Sequence, residues 1–424
     1  MSPIAGWEVT EPIAFDSTEF GRHPLIESWE LPDVSPWPWI RSGFWLDQGY
    51  TANPSRPTNG LNRPVIFNDR ANEYLMNQFY VFSEVDLWTG DNGAHAMLRG
   101  DVSYGYDSHF ITSAGLERHR DRTHKWNTET DNYGLSLPQA FVDLKSPDDW
   151  GLSLRVGHFY SIAGYESFAA PTNFFYSHSY GFSYGTPFTQ TGALATYSPH
   201  ANLTLYGGYS QGWDAWNSLG TDWGVVLGAE FHDTERDHLL KVVAQAGEDV
   251  TNTISQGKPI SGGRQAVFVV YEHQLSPQTR YVASGVFGNQ QDAVAVVNIV
   301  PRTITFDDAQ WYGVCQYLIW DPGDWYSAAI RFEWFADAGH SRISTPVDFN
   351  PGGPVFTGVN YFALTGGTNI RLTPNVLLRP EIRWDWSDVR GSASVPGGDP
   401  AVRAFGDRTH GSQITFGFDV IMQF

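Results

Sequence analysis

The sequence predicts an all-β fold: a transmembrane antiparallel up-and-down β-barrel of about 16 strands, roughly 14 to 18, with short periplasmic turns and long extracellular loops. Three observations predict it. The chain ends in a strand with one wholly apolar face, tight breaks recur between alternating segments, and the remaining connections are long and polar.

Composition sets the bounds. The chain has 424 residues and a hydrophobic fraction of 41%. No stretch approaches the ~18 to 20 uninterrupted apolar residues of a membrane helix, so a membrane role must use strands. Aromatics reach 15%, with 17 Trp, 20 Tyr and 27 Phe, which suits interfacial girdles, and 43 glycines suit turns and barrel strands. The single Cys315 excludes an intramolecular disulfide, and no N-terminal cysteine is available for lipidation. A net charge of −20 argues against a nucleic-acid partner and fits acidic surface loops or a cation-favouring pore.

Along the chain, residues 1–38 carry Pro3, Pro12, Pro24, Pro32, Pro36 and Pro38 with little alternation. Proline removes the donors a strand ladder needs, so this segment reads as an extended lead-in or partial plug. It lacks a basic start followed by an apolar run, so no signal peptide is visible, and either the chain is written in its mature form or the membrane reading fails. The barrel is expected over residues 39–424. Ser146-Pro147, Ser198-Pro199, Ser276-Pro277, Asp321-Pro322 and Thr373-Pro374 each separate alternating segments, and Thr89–Gly93 and Asp233–Asp237 add two more tight breaks. Proline presets the turn dihedral, and the preceding Ser, Thr or Asp bonds back to the backbone. Seven such turns separate eight hairpins, which with ~10-residue strands gives the strand number above. The opposite connections are long: Asn53–Ala71, Ser108–Asn132, Gly164–Thr189, Asn289–Asp307, Gly339–Thr357 and Val389–Thr409. Outer-membrane barrels sort their loops in this way, whereas a soluble sandwich has no reason to.

Strand faces agree. Segment Leu75–Asp86 places Gln78, Tyr80, Glu84 and Asp86 on one side. Leu98, Val102 and Tyr104 oppose Arg99, Asp101 and Ser103, and Leu152, Leu154 and Val156 oppose Ser153 and Arg155. Ala328, Ile330, Phe332 and Trp334 oppose Arg331, Glu333 and Asp337. Pro380, Ile382, Trp384 and Trp386 oppose Arg379, Glu381, Arg383 and Asp385. Charges of both signs cannot face a dry core, but they can line a wet lumen. In the last strand Ile414, Phe416, Phe418, Val420, Met422 and Phe424 share one face, and Gln413, Thr415, Asp419 and Gln423 share the other, with Ile421 the one apolar intruder. The strands near Ala266 and Tyr312 are apolar at both parities, and alternation assigns them no face.

The segments YGLSLPQAFVDL (Tyr133–Leu144), GLSLRVGHFYSIAGYESFAAPTNFFYSHSYGFSYGTPFTQTGALATY (Gly151–Tyr197) and GWDAWN (Gly212–Asn217) resemble the OmpL-like β-barrel porin-2 family. The resemblance is concentrated over residues 130–217 and continues as strand pattern from Trp39 to Phe424. It implies an outer-membrane pore, and a terminal Phe424 similar to the signal that barrel-assembly machinery reads. It names no solute.

A hydrated channel passes small polar solutes or ions while fixed charges at its narrowest point set selectivity, with no bond chemistry. Gly164–Thr189 is the constriction candidate, being long, aromatic and preceded by a strand that carries Arg155 inward. In general porins a loop folds inward here, so Glu166, Tyr176, His178 and Tyr180 are expected at the pore; alternatively the aromatics pack the loop against the wall. Inward arginines (Arg99, Arg155, Arg331, Arg371, Arg379, Arg383) and carboxylates (Glu84, Asp86, Asp101, Asp143, Glu333, Glu381, Asp385) either set a transverse field or neutralise one another across neighbouring strands, pairing being the plainer expectation for most.

Enzyme and metal motifs are thin. GFSYG (Gly181–Gly185) matches the nucleophile elbow GxSxG around Ser183, but no parallel strand precedes it and no histidine is paired with it. In HRDRTH, His119, Asp121 and His124 are ligand types, yet two arginines oppose a cation. Glu248 and Asp249 lack the spacing of a calcium loop. The expectation is no enzyme and no cofactor. A porin for small polar solutes or ions, favouring cations, is the first functional expectation, a closed barrel anchoring a surface protein assembly is the second, and a barrel enzyme such as a phospholipase is a distant third. The expected partners are outer-membrane lipid, the assembly machinery and, by analogy, two further copies in a trimer.

Overall fold

The computed structural model describes residues 37, 39–119, 123–127, 132–147, 150–217, 222–255, 258–298, 303–343, 355–392 and 403–424. The lead-in at 1–36 and 38, and Asp121 of the histidine loop, lie outside the described residues.

The strands are β1 Ile40–Ala52, β2 Glu73–Thr89, β3 His95–Gly105, β4 Gly134–Lys145, β5 Leu152–Tyr160, β6 Thr189–His200, β7 Leu203–Ser210, β8 Trp223–His232 and β9 His238–Ser255. They continue as β10 Lys258–Ser276, β11 Thr279–Asn298, β12 Thr303–Gly323, β13 Tyr326–Asp337, β14 Val355–Thr357, β15 Asn360–Thr373, β16 Val376–Ser387, β17 Arg390–Ser392 and β18 Ser412–Gln423. All but β14 and β17 close into one antiparallel barrel of sixteen strands, each paired with its sequence neighbours in the wall. β14 and β17 pair with each other as a separate two-stranded ribbon on the long-loop side. The seam joins the chain ends, with Trp45 opposite Gln423 and Leu46 opposite Met422 in β1 and β18. A closed sheet leaves no unpaired edge in lipid, where each unsatisfied backbone group costs several kcal/mol.

All seven expected breaks are turns on one rim, the rim that also holds both barrel ends. On the other rim the Asn289–Asp307 expectation needs correction: β11 runs on to Asn298 and β12 begins at Thr303, in register from Val294 opposite Asp307 to Asn298 opposite Thr303. The cause is the β-branched run of Val294, Val296, Val297, Thr303, Ile304 and Thr305, whose strand propensity outweighs the polar residues around it.

Burial is inverted relative to a soluble protein. In β16, Ile382 and Trp384 are 47% and 45% exposed while Arg383 and Asp385 are 1% and 0% exposed. The same alternation holds in β3, β13 and β18, with Leu98, Val102, Ile330, Phe332, Phe416 and Phe418 outward and Arg99, Asp101, Arg331, Glu333 and Asp419 inward. Trp88, Trp150, Trp320 and Trp325 are exposed at the short-turn rim, and Tyr74, Tyr104, Tyr209 and Trp223 near the other, giving two aromatic girdles. The faces that alternation left open are settled by packing. Ala266, Phe268 and Val270 of β10 and Trp311, Cys315, Tyr317 and Ile319 of β12 point inward and are buried. Their partners are the aromatic side chains of the segment between β5 and β6.

Candidate functional site

That segment, residues 161–188, leaves the barrel wall at Tyr160, runs through the interior and returns at Thr189. Gly164 makes the inward turn with φ +82°, a left-handed value that glycine adopts without a Cβ penalty. Within the segment lie a 3-10 turn, Ala170–Thr172, and one helical turn, Tyr180–Gly185, capped by the Ser179 side chain accepting from Phe182 N. Glycines of the wall make room for it. A Cβ on Gly49 would stand 2.6 Å from Cζ of Tyr176, and one on Gly417 would stand 3.1 Å from Cδ1 of the same ring.

Three wall arginines hold the segment by its backbone carbonyls. Arg331 donates to Ser177 O at 2.6 Å and reaches Glu166 Oε1 at 3.1 Å. Arg379 donates to Ala170 O at 2.8 Å and Asn173 O at 2.6 Å while paired with Asp419. Arg383 donates to His178 O at 2.8 Å, pairs with Asp385 at 2.8 Å and reaches Glu333 Oε1 at 3.2 Å. Wall carboxylates take the matching N–H groups: Glu381 accepts from Ser177 N at 3.1 Å and Glu333 from Tyr180 N at 2.6 Å. Tyr180 donates its hydroxyl to Asp385 at 2.7 Å, and Tyr176 donates to Asn77 at 3.2 Å. Gln78 completes the set, donating to Phe168 O at 2.8 Å and accepting from Ala170 N at 3.1 Å. Charge-assisted bonds of this kind are roughly twice as strong as neutral ones, and burial of the three arginines shields them from bulk solvent.

Glu166 is the one acid that the segment itself contributes to this network. It accepts from Tyr317 at 2.6 Å and from Ser179 N at 2.8 Å, and His178 Nδ1 lies 3.4 Å away. Burial alone would raise its pKa, but His178, Arg331 and Tyr317 outweigh burial and hold the carboxyl down at about 2. Above the segment, the loop at 53–72 packs Phe67 against His178 at 4.5 Å, with Phe168, Phe182 and Phe188 around it.

The expected site residues therefore divide into one network, two separate ion-paired positions and two residues that stand apart. Glu166, Tyr176, His178, Tyr180, Arg331, Glu333, Arg379, Glu381, Arg383 and Asp385 meet in one buried network around segment 161–188. Arg99 and Asp101 pair with each other at 2.8 Å on the facing wall, with Glu84 also 2.8 Å from Arg99. Arg155 grips Asp143 at 2.6 Å with its guanidinium over the Phe141 ring, and keeps part of its surface open. Arg371 stands apart, at the short-turn rim beside Asp321 and Asp324. Phe424 stacks on Phe44 at 5.0 Å across the closing seam. Residues that the sequence did not single out include Tyr317 and Arg342, which donates to Tyr184 O at 2.6 Å. For Tyr317 the signal was the apolar inward parity of β12, which marks a wall covered by protein rather than water.

The other motifs have structural places. GFSYG is itself a helical turn inside the barrel, with Ser183 N donating to Ser179 O at 2.9 Å, and forms no strand-to-helix elbow. His119 N donates to Thr123 O at 2.7 Å in a loop closure. Asp249 pairs with Arg264 at 2.9 Å and accepts from Trp213 N at 2.8 Å, while Glu248 faces outward.

Comparison with solved structures finds the same barrel fold in outer-membrane channels. The outer membrane channel DcaP of Acinetobacter baumannii aligns with TM-score 0.56 at 10% identity, over 91% of this chain and 97% of that one. An anion-selective porin from Comamonas acidovorans gives TM-score 0.55 at 8% identity, over 91% and 99%. OprB of Pseudomonas putida gives 0.54 at 12% identity, over 91% and 94%. At these identities the likeness is one of fold. No curated protein matches the sequence. The model of the family described as "Putative beta-barrel porin-2, OmpL-like" matches residues 40–424, and the chain belongs to that family, as an outer-membrane channel of sixteen strands.

Proposed function

We propose that the barrel passes small hydrophilic solutes or ions by passive diffusion, that segment 164–189 narrows the lumen, and that cations are favoured. One observation carries the reading: a long segment is fixed inside a polar-lined barrel by charges of the wall itself, so the aperture it leaves is rigid. Charges with surface open to water then act on a passing ion. Arg41, Asp86, Asp143 and Arg155 keep side-chain exposures of 28%, 30%, 24% and 15%, while Arg331, Arg379 and Arg383 keep 0%, 3% and 1%. The buried arginines spend their charge on the segment. The cation preference rests on the net charge of −20.

The test is single-channel recording of the purified protein in a planar bilayer, with the reversal potential measured under a salt gradient. Discrete steps and a cation-side reversal potential are expected. The competing reading, a closed barrel that anchors a surface assembly, is favoured by the burial of residues 167–180 on every side. Stable insertion without steps would put it first.

A further inference from the structure

Above segment 161–188, on the long-loop side, Arg342 reaches into the lumen from the loop that follows β13. Its Nε donates to Tyr184 O at 2.6 Å, which fixes the guanidinium beside the helical turn. The same group lies 4.6 Å from the ring centre of Trp311 and 5.6 Å from that of Trp213. Trp311 is anchored in turn, donating its indole N–H to Gly185 O at 3.2 Å. These fixed contacts pre-organise the guanidinium, so little rotamer entropy is lost when it binds.

Arg342 differs from the arginines that hold the segment. Arg331, Arg379 and Arg383 each pair with an acid. Arg342 has no carboxylate within ion-pair distance, and its Nη1 and Nη2 make no hydrogen bond among the described residues. Neither nitrogen is sealed from solvent. Arg342 is half-buried beside the half-buried Trp213, Tyr184 and Ile343, so this edge of the guanidinium lies on the surface of the outer vestibule.

The nearby acids are already engaged. Asp249 pairs with Arg264 at 2.9 Å, and Asp214 accepts from Phe188 N and Thr189 N at 2.9 Å. Asp337 accepts from the backbone N–H groups of Ser341 at 2.9 Å, Arg342 at 3.2 Å and Ile343 at 2.8 Å. Burial and the neighbouring Arg264 guanidinium oppose the charge of Arg342 and push its pKa down, and the three acids offset only part of this. An arriving anion relieves that strain. The Nη1–Nη2 edge offers two N–H groups at the spacing of a carboxylate's two oxygens, and the rings of Trp213 and Tyr184 offer a flat apolar surface beside it. We propose that Arg342, Trp213 and Tyr184 form a subsite at the outer face of the constriction for a small organic acid with a flat apolar body. Its carboxylate sits on the Nη1–Nη2 edge and its body on the rings. The proposal rests on the reading of the barrel as a solute passage, for which it names a solute class, while the cation preference concerns free ions.

Saturation-transfer NMR on the full-length protein in detergent micelles, with benzoate as the probe and protein-free micelles as the blank, reads binding whether or not the pore conducts. Saturable benzoate binding is expected, with benzamide, which keeps the ring and loses the charge, about tenfold weaker. Arg342→Gln removes the charge-assisted contact and should weaken benzoate about tenfold or more, the equivalent of about 1.4 kcal/mol. Because that change also disturbs the bond to Tyr184 O, Arg342→Lys serves as the second variant. It keeps the charge and loses the fork, so its affinity for benzoate should fall between wild type and Arg342→Gln. Equal benzoate binding by wild type and both variants, or benzamide binding as tight as benzoate, would overturn the subsite. Binding without conductance would sink the passage reading and leave the subsite standing, whereas conductance without benzoate binding would sink the subsite alone.

Discussion

Arg331 Nη1 lies 3.1 Å from Glu166 Oε1, and the two side chains retain 0% and 5% of their surface. One belongs to the barrel wall and the other to the segment that crosses the lumen, so this pair couples the position of the segment to the wall. Removing one member of a buried pair costs about 3–5 kcal/mol because the other charge is stranded, whereas removing both costs far less. Arg331→Met is therefore expected to loosen residues 161–188, raise single-channel conductance and expose the aromatic run to chymotrypsin. Adding Glu166→Gln in the same chain should recover much of the protection. Unchanged cleavage and conductance in Arg331→Met would show that the pair does not hold the segment.

The same pair sets a pH dependence. Glu166 titrates at about 2 in the folded protein, well below an ordinary carboxylate, despite its burial. A depressed pKa contributes stability that is fully present above the unfolded value and lost as pH falls through the folded one. The window of loss thus runs from the usual glutamate range, ~4.3, down to about 2. Protease protection of the segment should be flat from neutral pH down to the top of that window and decline only within it. A decline centred near pH 6 would point to another group as the latch.

Gly49 and Gly417 form the groove that receives Tyr176. A Cβ on Gly49 would meet the ring at 2.6 Å and the backbone O of Phe418 at 2.8 Å. Overpacking of this kind costs about 1–3 kcal/mol. Gly49→Ala should lower the temperature at which the barrel unfolds on a heat-shift gel, and Gly49→Ala with Tyr176→Leu should restore part of it. If the single variant matched wild type, the ring would have room that the structure does not give it.

The legible and illegible parts of the fold separate on one physical ground. In β16 and β18 the outward neighbour is lipid, and the inward groups are Arg379, Arg383, Asp385 and Asp419, so alternation alone assigns the faces. In β10 and β12 the inward groups are Phe268, Trp311 and Tyr317, because their neighbours are Tyr180, Tyr165 and Phe175 of a segment distant in sequence. Both faces are then apolar, and only the packing partner tells them apart. The network around Glu166 was half legible for the same reason. Its charged members stand out in strands of one parity, but Gln78 and Ser177 bind it through groups that look the same in any loop or strand.

Arg155 offers a direct handle on selectivity. It pairs with Asp143 at 2.6 Å and keeps 15% of its side chain open, so it is both neutralised and accessible. Removing it exposes a bare carboxylate to the lumen. A unit charge about 4 Å from an ion changes its energy by about 1 kcal/mol in a water-like dielectric, a factor of about five in local concentration. Arg155→Gln should therefore shift the reversal potential toward cations by up to that ratio, with the effect shrinking at high salt. A shift toward anions, or none at low salt, would place the conducting path away from this wall.

Phe424 stacks on Phe44 at 5.0 Å, and the two residues exchange backbone hydrogen bonds of 2.8 Å in both directions. These contacts fasten Phe424, which follows β18, to β1 at the seam, while the residue remains 40% exposed on the outer face. The contacts make the residue a clasp in the folded barrel, and we propose that the same ring also serves as a signal while the chain is unfolded. An aromatic pair is worth about 0.5–1.5 kcal/mol beyond its buried area, and Phe424→Ala keeps the backbone bonds, so the clasp should weaken only by that amount. Refolding into lipid vesicles without other proteins should then proceed at nearly wild-type yield. Insertion in cells should fall several-fold if assembly machinery reads the terminal ring, and Phe424→Trp should preserve both. Equal losses in vesicles and in cells would assign the residue to the seam alone, because a defect that needs no machinery to appear belongs to the barrel and not to its recognition.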